Sequence, residues 1–498
     1  MDRRVFLGAS AGLGALSALT AEGTAFASET SAPYQITGHY VPSHAAALKR
    51  IGDYAAEHMA VHQLPGMTFA LVGPNGLDVR LTLGLSDLER RIPVRSEQLF
   101  HIGSISKSFT AVMIHQLAAE GRLHLDDPVS AHLQGVPLPD GATISLNHLL
   151  AHASGLAEDP PISPDTPDGK LWVGFPPGSA WSYSNLGFEL LGRVVEAKDG
   201  APLAACLKRR IFAPLEMTSA KGALFPSDRA QYAIGYAPSD PDADYAPGIP
   251  LSPAPFEVFT SGAGCVGANA DDMAKWIGWL IGAGRGLGGP LMPDAQAVIF
   301  AKPQIAAPGW AFKNAAYGSG LAYVPLDGRM VMQHTGGMLA FHSSIHVDPK
   351  AGVGAFASVN SGAGDYRPRL VTAFACAMLR ALAEPEAALN PIPAPVSWTA
   401  PPKVKLDTTD AEPEFAALAG RYAARGLSFG TVTLVAVKGG LAMPDGTLLE
   451  KSPDGYWTIK TSPSLDSPAI ERIWFSHPVN GRPQNISFSG ERMERIAP

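Results

Sequence analysis

Ser104 and Lys107 stand three residues apart in the stretch Phe100-His101-Ile102-Gly103-Ser104-Ile105-Ser106-Lys107-Ser108-Phe109-Thr110. On a helix that spacing puts both side chains on one face. A serine hydroxyl is a weak nucleophile at neutral pH and needs a base beside it. A lysine amine one turn away, once desolvated, can be that base. A helix N-terminus also offers backbone N–H groups to a developing oxyanion. Taken alone, the pair reads more readily as an N-capping serine and a solvated lysine, so its weight depends on what lies downstream.

Two later stretches carry further chemistry. Phe175-Pro176-Pro177-Gly178-Ser179-Ala180-Trp181-Ser182-Tyr183-Ser184-Asn185-Leu186-Gly187 puts Tyr183 and Asn185 on a loop before a helix with apolar Leu190, Leu191, Val194 and Val195. A tyrosine beside an ammonium can relay a proton from a nucleophile to a leaving group. Asn185 can orient both Lys107 and a substrate amide carbonyl. The structural alternative for Tyr183 is a buried ring with one hydrogen bond. In Val331-Met332-Gln333-His334-Thr335-Gly336-Gly337 a strand runs into two glycines, which let a backbone approach a ligand closely. A glycine hairpin with an incidental histidine is the alternative.

Several elements must position these residues. Residues 42–62 predict an amphipathic helix, with Leu48, Ile51, Tyr54, Ala55 and Met59 on one face. Residues 67–72 and 79–83 predict a hairpin around Asn75-Gly76. After Lys107, the residues Phe109, Val112, Met113 and Leu117 form a helical stripe that stops at Gly121. Residues 157–178 predict a loop bordering a cleft, and residues 225–258 an irregular passage near it. Asn269 or Asp271 caps a helix through Met273, Trp276, Ile277 and Leu280. Strands at 343–348 and 353–360 and a helix at 366–383 complete an antiparallel sheet with an inserted helical part, an α+β arrangement. Prolines crowd residues 386–410, a linker. Residues 411–498 then alternate short strands and turns, among them 418–422, as a small all-β sandwich or barrel.

Composition narrows the function classes. The chain has 498 residues, 17% of them charged, with 52 glycines and 44 prolines, a profile of a loop-rich globular enzyme rather than a coiled coil or a disordered chain. A net charge of −7 without a basic cluster excludes nucleic acid as a partner. Met1-Asp2-Arg3-Arg4-Val5-Phe6-Leu7-Gly8, an Ala/Gly/Leu run and Ala25-Phe26-Ala27 read as a twin-arginine signal peptide over 1–27. They predict a periplasmic or secreted protein with no stable membrane insertion once the signal is removed. Cys206, Cys265 and Cys376 are too few and too widely spaced for a disulfide framework or a metal motif. His148 and His152, four apart, lack a third ligand at zinc-site spacing and read as structural. The expectation is therefore no metal and no cofactor.

Together, Ser104-Ile105-Ser106-Lys107, Tyr183-Ser184-Asn185 and His334-Thr335-Gly336 resemble, in order, the motifs of the serine hydrolases related to class C β-lactamases, DD-peptidases, D-aminopeptidases and β-lactamase-like esterases. The accessory stretches His148–Leu156, Pro177-Gly178 and Pro214-Leu215-Glu216-Met217 are similar to signatures of the same family. The resemblance spans about residues 40 to 385. It implies an antiparallel sheet of five or more strands flanked by helices with an all-α lobe, over 28–385, and the tail resembles a lipocalin-like β-domain. It implies Ser104 as the acylated nucleophile and Lys107 with Tyr183 as the acid–base pair. Asn185, His334, Thr335, Gly336 and Gly337 bind substrate, and the N–H groups of Ser104 and Gly337 form the oxyanion hole.

His334 stands where β-lactamases of this kind carry lysine. A cation for a β-lactam carboxylate is then missing unless His334 is protonated or an arginine such as Arg329 replaces it. The implied function is hydrolysis of a small peptide, amide or ester through an acyl-enzyme, with peptidase placed ahead of carboxylesterase. Behind these stand a β-lactamase, an acyl transferase and a non-catalytic envelope binding protein.

Overall fold

The computed structural model describes residues 32–240, 246–308, 310, 314–362, 368–384, 404–424, 431–459 and 470–496. The expected signal peptide and most of the expected linker lie outside them. Alternating apolar residues make strands of Gly66–Val72 and Asp78–Asp87. Asn75 (φ 54°) and Gly76 (φ 72°) turn the chain between them, the left-handed pair that matches strand twist. The register runs from Gly66 opposite Gly84 to Val72 opposite Asp78.

The main sheet has ten strands, within the expected five or more, all paired antiparallel. Its order is Tyr34–His39, Asp78–Asp87, Gly66–Val72, Val353–Val359, Phe341–Asp348, Arg329–Met338, Ala322–Leu326, Ala316–Tyr317 and Ile305–Ala306, with Ile92–Pro93 added beside Asp78–Asp87. Early and late strands meet where Gly66–Val72 pairs with Val353–Val359. The chain thus leaves the sheet, builds a helical lobe and returns to it. Successive side chains point to opposite faces. Phe69 and Leu71 pack beneath the helices Ala45–His62 and Arg369–Ala383, whereas Ala70 joins the core around Ser106–Ala119 and Ala270–Ala283.

The helix Ser106–Ala119 is buried all round from Ser106 to Leu117, as expected of a helix in the centre of a large core. Phe109 stacks on Trp276 at 3.8 Å between ring centroids. Its polar residues grip the glycine turn at 261–266. The Val266 N–H donates to Ser106 Oγ at 3.0 Å, and Thr110 Oγ1 donates to the Gly262 carbonyl at 2.7 Å. Asn269 caps Ala270–Ala283 by accepting from the Asp272 N–H.

The C-terminal strands close into an eight-stranded barrel, the first, Gly420–Ala424, pairing with the last, Glu491–Ile496. Leu418, expected in a strand, instead ends the short helix Pro413–Leu418, which Pro413 opens at its first position. The strands Gly440–Ala442 and Glu491–Ile496 escaped the sequence reading, one for its brevity and the other for its charged residues.

Candidate active site

Ser104 sits in a single 3-10 turn, Gly103–Ile105, that runs directly into the helix beginning at Ser106. Gly103 has φ 54°, a left-handed value that glycine adopts without strain. The strand Arg329–Met338 passes directly against this turn. A Cβ placed on Gly336 would lie 1.9 Å from the Ile102 carbonyl oxygen and 3.2 Å from the Ser104 nitrogen. A Cβ on Gly103 would lie 2.7 Å from the Gly337 nitrogen. The nucleophile turn and the double glycine therefore touch backbone to backbone.

Lys107 is fully buried and its amine has three neighbours. Nζ lies 3.0 Å from Ser104 Oγ, 2.6 Å from Asn185 Oδ1 and 2.9 Å from the Ala263 carbonyl oxygen. Two of these are pure acceptors. A neutral amine has two N–H groups and one lone pair. The amide and carbonyl oxygens take the two N–H groups, which turns the lone pair toward the Ser104 hydroxyl. Burial pulls the Lys107 pKa down to about 7, against the charges of Asp159 and Glu158, which favour the ammonium. The base is therefore partly free near neutrality.

Asn185 begins the helix Asn185–Asp199, whose start is anchored several times. Ser184 accepts from the Gly187 N–H and donates to the Ala157 carbonyl at 2.7 Å. The N–H groups of Asn185 and Leu186 both donate to the Glu158 carbonyl, at 2.7 and 3.2 Å. His152 accepts from the Ser184 N–H through Nδ1 at 3.1 Å, and His148 closes a capping box with Ser145. His152 thus orders the backbone beside Asn185, and His148 orders the start of the helix Leu146–Leu150. The Tyr183 ring lies beside the Lys107 amine, 4.7 Å from Nζ to the ring centroid, and stacks on Trp310 at 5.7 Å.

Thr335, Gly336 and Gly337 lie on the strand facing Ser104, but His334 is turned away from solvent. It is fully buried, with Nδ1 2.6 Å from the Thr335 carbonyl and Nε2 2.8 Å from the Tyr317 hydroxyl. The carbonyl can only accept, so Nδ1 carries the proton and Tyr317 donates to Nε2. Burial, and next the Lys107 charge, push the His334 pKa down to about 3. His334, expected to contact substrate, is here a neutral buried ring packed against Trp310 and Tyr317. Arg329 lies on the same strand, paired with Asp348 and Glu384 at 3.1 and 2.9 Å. Neither residue supplies a cation to a substrate carboxylate.

Residues 51–374 match the family model described as Beta-lactamase. The chain belongs to the beta-lactamase family. It is a serine hydrolase of that family, with a closed barrel after the main fold. Penicillin-binding protein 4 of Amycolatopsis lactamdurans is 27% identical over 322 residues, 60% of this chain and 82% of that protein. Esterase EstB of Burkholderia gladioli is 30% identical over 281 residues, 47% of this chain and 70% of that protein. The octameric penicillin-binding protein homologue from Pyrococcus abyssi shares the fold at 21% identity, with a TM-score of 0.59 over 90% of this chain and 99% of that one. Among the described residues of this family member, no helix is long and apolar enough to cross a membrane.

Two groups near the amine were not singled out from sequence, although both follow directly on His152-Ala153-Ser154-Gly155-Leu156. Glu158 supplies the carbonyl that caps the Asn185 helix. Asp159 is half-buried beside Lys107. Burial and the Glu158 charge raise its pKa to about 7, Asn185 and Lys107 oppose that rise, and Glu471 of the barrel adds to it.

Proposed function

We propose that this chain is an exported serine hydrolase that cleaves a small peptide, amide or ester through an acyl-enzyme on Ser104, with peptidase chemistry ahead of esterase. The observation that carries this is the Lys107 amine, buried and bonded to Ser104 Oγ while Asn185 and the Ala263 carbonyl occupy its other two directions. Ser104 Oγ attacks the carbonyl carbon and its proton passes to the Lys107 lone pair. The carbonyl oxygen takes the negative charge and is held by the N–H groups of Ser104 and Gly337. Lys107 and Tyr183 return the proton to the leaving amine or alcohol. Water then attacks the acyl-enzyme, its proton follows the same path, and the acid is released from Ser104. Asn185, Thr335 and Gly336 line the substrate path, and His334 stiffens it from behind.

A penicillin-binding protein that aligns over most of its own length supports the peptidase reading. The absence of a cation from both His334 and Arg329 argues against a β-lactam carboxylate as the preferred anchor. A carboxylesterase is the second reading, favoured by the similarity to EstB. Intact mass after brief incubation with a fluorophosphonate, and separately with penicillin, tests both beside Ser104→Ala. A fluorophosphonate adduct that the substitution removes is the expected result. A lasting penicillin adduct as well selects the peptidase, and fluorophosphonate labelling alone selects the esterase. No adduct with either reagent would sink the acyl-enzyme reading and leave a binding protein.

A further inference from the structure

The C-terminal barrel does not hang beside the hydrolase fold. It grips the loop that follows Leu156, and that loop grips the catalytic helix. On the barrel side, the Asp165 N–H donates to the Gly490 carbonyl at 2.8 Å, and the Arg472 guanidinium lies 3.0 Å from the centre of the Trp172 ring. Ile470 fills the space where a Cβ of Gly174 would stand, 2.4 Å from its Cγ2. Next to Ile470, Glu471 accepts from the Glu158 N–H at 3.0 Å through one carboxylate oxygen and from Ser489 Oγ through the other. The same residue continues the path, since the Glu158 carbonyl, in the next peptide unit, accepts from the N–H groups of Asn185 and Leu186. Asn185 Oδ1 then takes the Lys107 amine at 2.6 Å. Between barrel and nucleophile there are thus Glu471, Glu158, Asn185, Lys107 and Ser104, with a hydrogen bond at every step.

We propose that the barrel is a working part of the active site. Glu471 acts as a positioning residue that holds Glu158 against the start of the Asn185 helix, and Asp159, the next residue on that loop, places a carboxylate charge near Lys107. This rests on the acyl-enzyme reading above and deepens it by assigning a catalytic task to the barrel.

The charges around the amine make the clamp consequential. Lys107 faces Ser104 on its own turn, Tyr183 and Asn185 ahead of the next helix, the Ala263 carbonyl, neutral His334 behind the strand, and Asp159 with Glu158 on the loop. Asp159 in turn faces Glu158, Asn185, Lys107 and Glu471. Among the described residues, the carboxylates that act on the amine are thus Asp159 and Glu158 of the clamped loop, and Glu471 of the barrel acts on Asp159. A loop released from Glu471 would let the Glu158 carbonyl leave the helix start and let Asn185 drift from Nζ. Small displacements of a positioned base are costly in rate.

The test uses the full-length protein and needs no identified substrate. It follows the rate at which a fluorophosphonate labels Ser104 as a function of pH. In that reaction Oγ bonds to phosphorus, fluoride leaves, and the serine proton goes to Lys107. Glu471→Ala removes the acceptor for the Glu158 N–H and is expected to lower the high-pH plateau about tenfold, the effect of a misplaced base. Glu471→Gln keeps an acceptor oxygen and restores most of the rate, which a generally weakened fold would not do. Asp159→Asn removes a negative charge that favours the Lys107 ammonium, so the free amine persists to lower pH and the midpoint of the profile moves down. A Glu471→Ala protein with the wild-type rate overturns the clamp, and an unmoved midpoint in Asp159→Asn overturns the charge assignment. If Glu471→Ala does not fold, as circular dichroism would report, Ser489→Ala, which removes the hydroxyl that holds the other Glu471 oxygen, is expected to lower the plateau, and a wild-type plateau there overturns the clamp. Wild-type protein that never labels overturns the acyl-enzyme reading itself, an outcome distinct from the other two.

Discussion

Lys107 makes the shorter of its two side-chain hydrogen bonds to Asn185, 2.6 Å against 3.0 Å to Ser104. The amide is thus the fixed point and the serine hydroxyl the mobile partner. Asn185→Ala leaves one N–H of a buried amine without an acceptor, which costs about 1–3 kcal/mol of stability. It also frees the lone pair to turn away from Ser104. Labelling of Ser104 is expected to slow by about two orders of magnitude, the lower range of what a positioned base contributes. The comparison of labelling rate with urea midpoint separates the two effects.

The Lys107 pKa of about 7 has a kinetic and a thermodynamic sign. The serine is activated only by the free amine, so the rate of acylation is expected to rise with pH through about 7 and level off above it. Lys107→Arg keeps a cation of similar length but has no lone pair at any working pH. It is expected to lose at least a hundredfold in labelling rate, within the range of general-base catalysis. In the unfolded chain the lysine holds its proton to about pH 10.4. Between about 7 and that value the unfolded state binds more protons than the folded one. This group therefore makes the fold more stable as pH rises across that window.

His115, His334 and His346 predict behaviour at the acid end. Burial pushes each of them down to about 3. Unfolded histidine titrates near pH 6.5, so between about 6.5 and 3 the unfolded state again binds more protons. Their combined effect is a stability that falls as pH drops through this range. Urea midpoints at pH 7 and pH 5 check it, with the lower midpoint expected at pH 5. An unchanged midpoint would show that the three rings are not held neutral by the fold.

The sequence disclosed these chemical groups unevenly, for physical reasons. Ser104 and Lys107 were legible because helical spacing alone puts them on one face, and the buried stripe after them marks a core helix. The two glycines were legible as a place where the backbone closely approaches a ligand; that Gly336 also touches the Ile102 backbone was not legible. The Ala263 carbonyl was not, since any residue type supplies a carbonyl. Glu471 and Glu158 are 313 positions apart, and no periodicity marks a contact between a loop and a barrel turn. His334 was legible on its strand, but its aromatic surroundings were not. Its aromatic neighbours, half-buried Trp310 at 4.9 Å and buried Tyr317 at 5.9 Å between ring centroids, come from a segment that strand pattern alone does not bring near.

The supporting role of His334 is itself testable. His334→Phe fills a similar space but leaves the buried Tyr317 hydroxyl without its acceptor. The cost is about 1–3 kcal/mol, read from the urea midpoint. Because the native ring is neutral at pH 7, the midpoint of the Ser104 labelling profile is expected to stay in place. A large shift of that midpoint would return His334 to the set of charged groups that govern Lys107.

Gly336→Ala probes the contact on which the oxyanion site depends. Its Cβ would meet the Ile102 carbonyl oxygen at 1.9 Å and carbon at 2.8 Å, both backbone atoms that no rotamer change can move. Either the strand or the Gly103–Ile105 turn must give way. The separation between the Gly337 and Ser104 amides would widen in both cases. Losing one oxyanion donor costs about 10²–10³ in rate. The substitution lies near the end of a ten-residue strand, where Gly336 pairs only with Ser343 while Met332 and Gln333 are paired on both sides, so the fold is expected to survive. Normal circular dichroism with labelling slowed by that factor is the expected outcome. A wild-type labelling rate would mean that the two amides do not act together on the oxyanion.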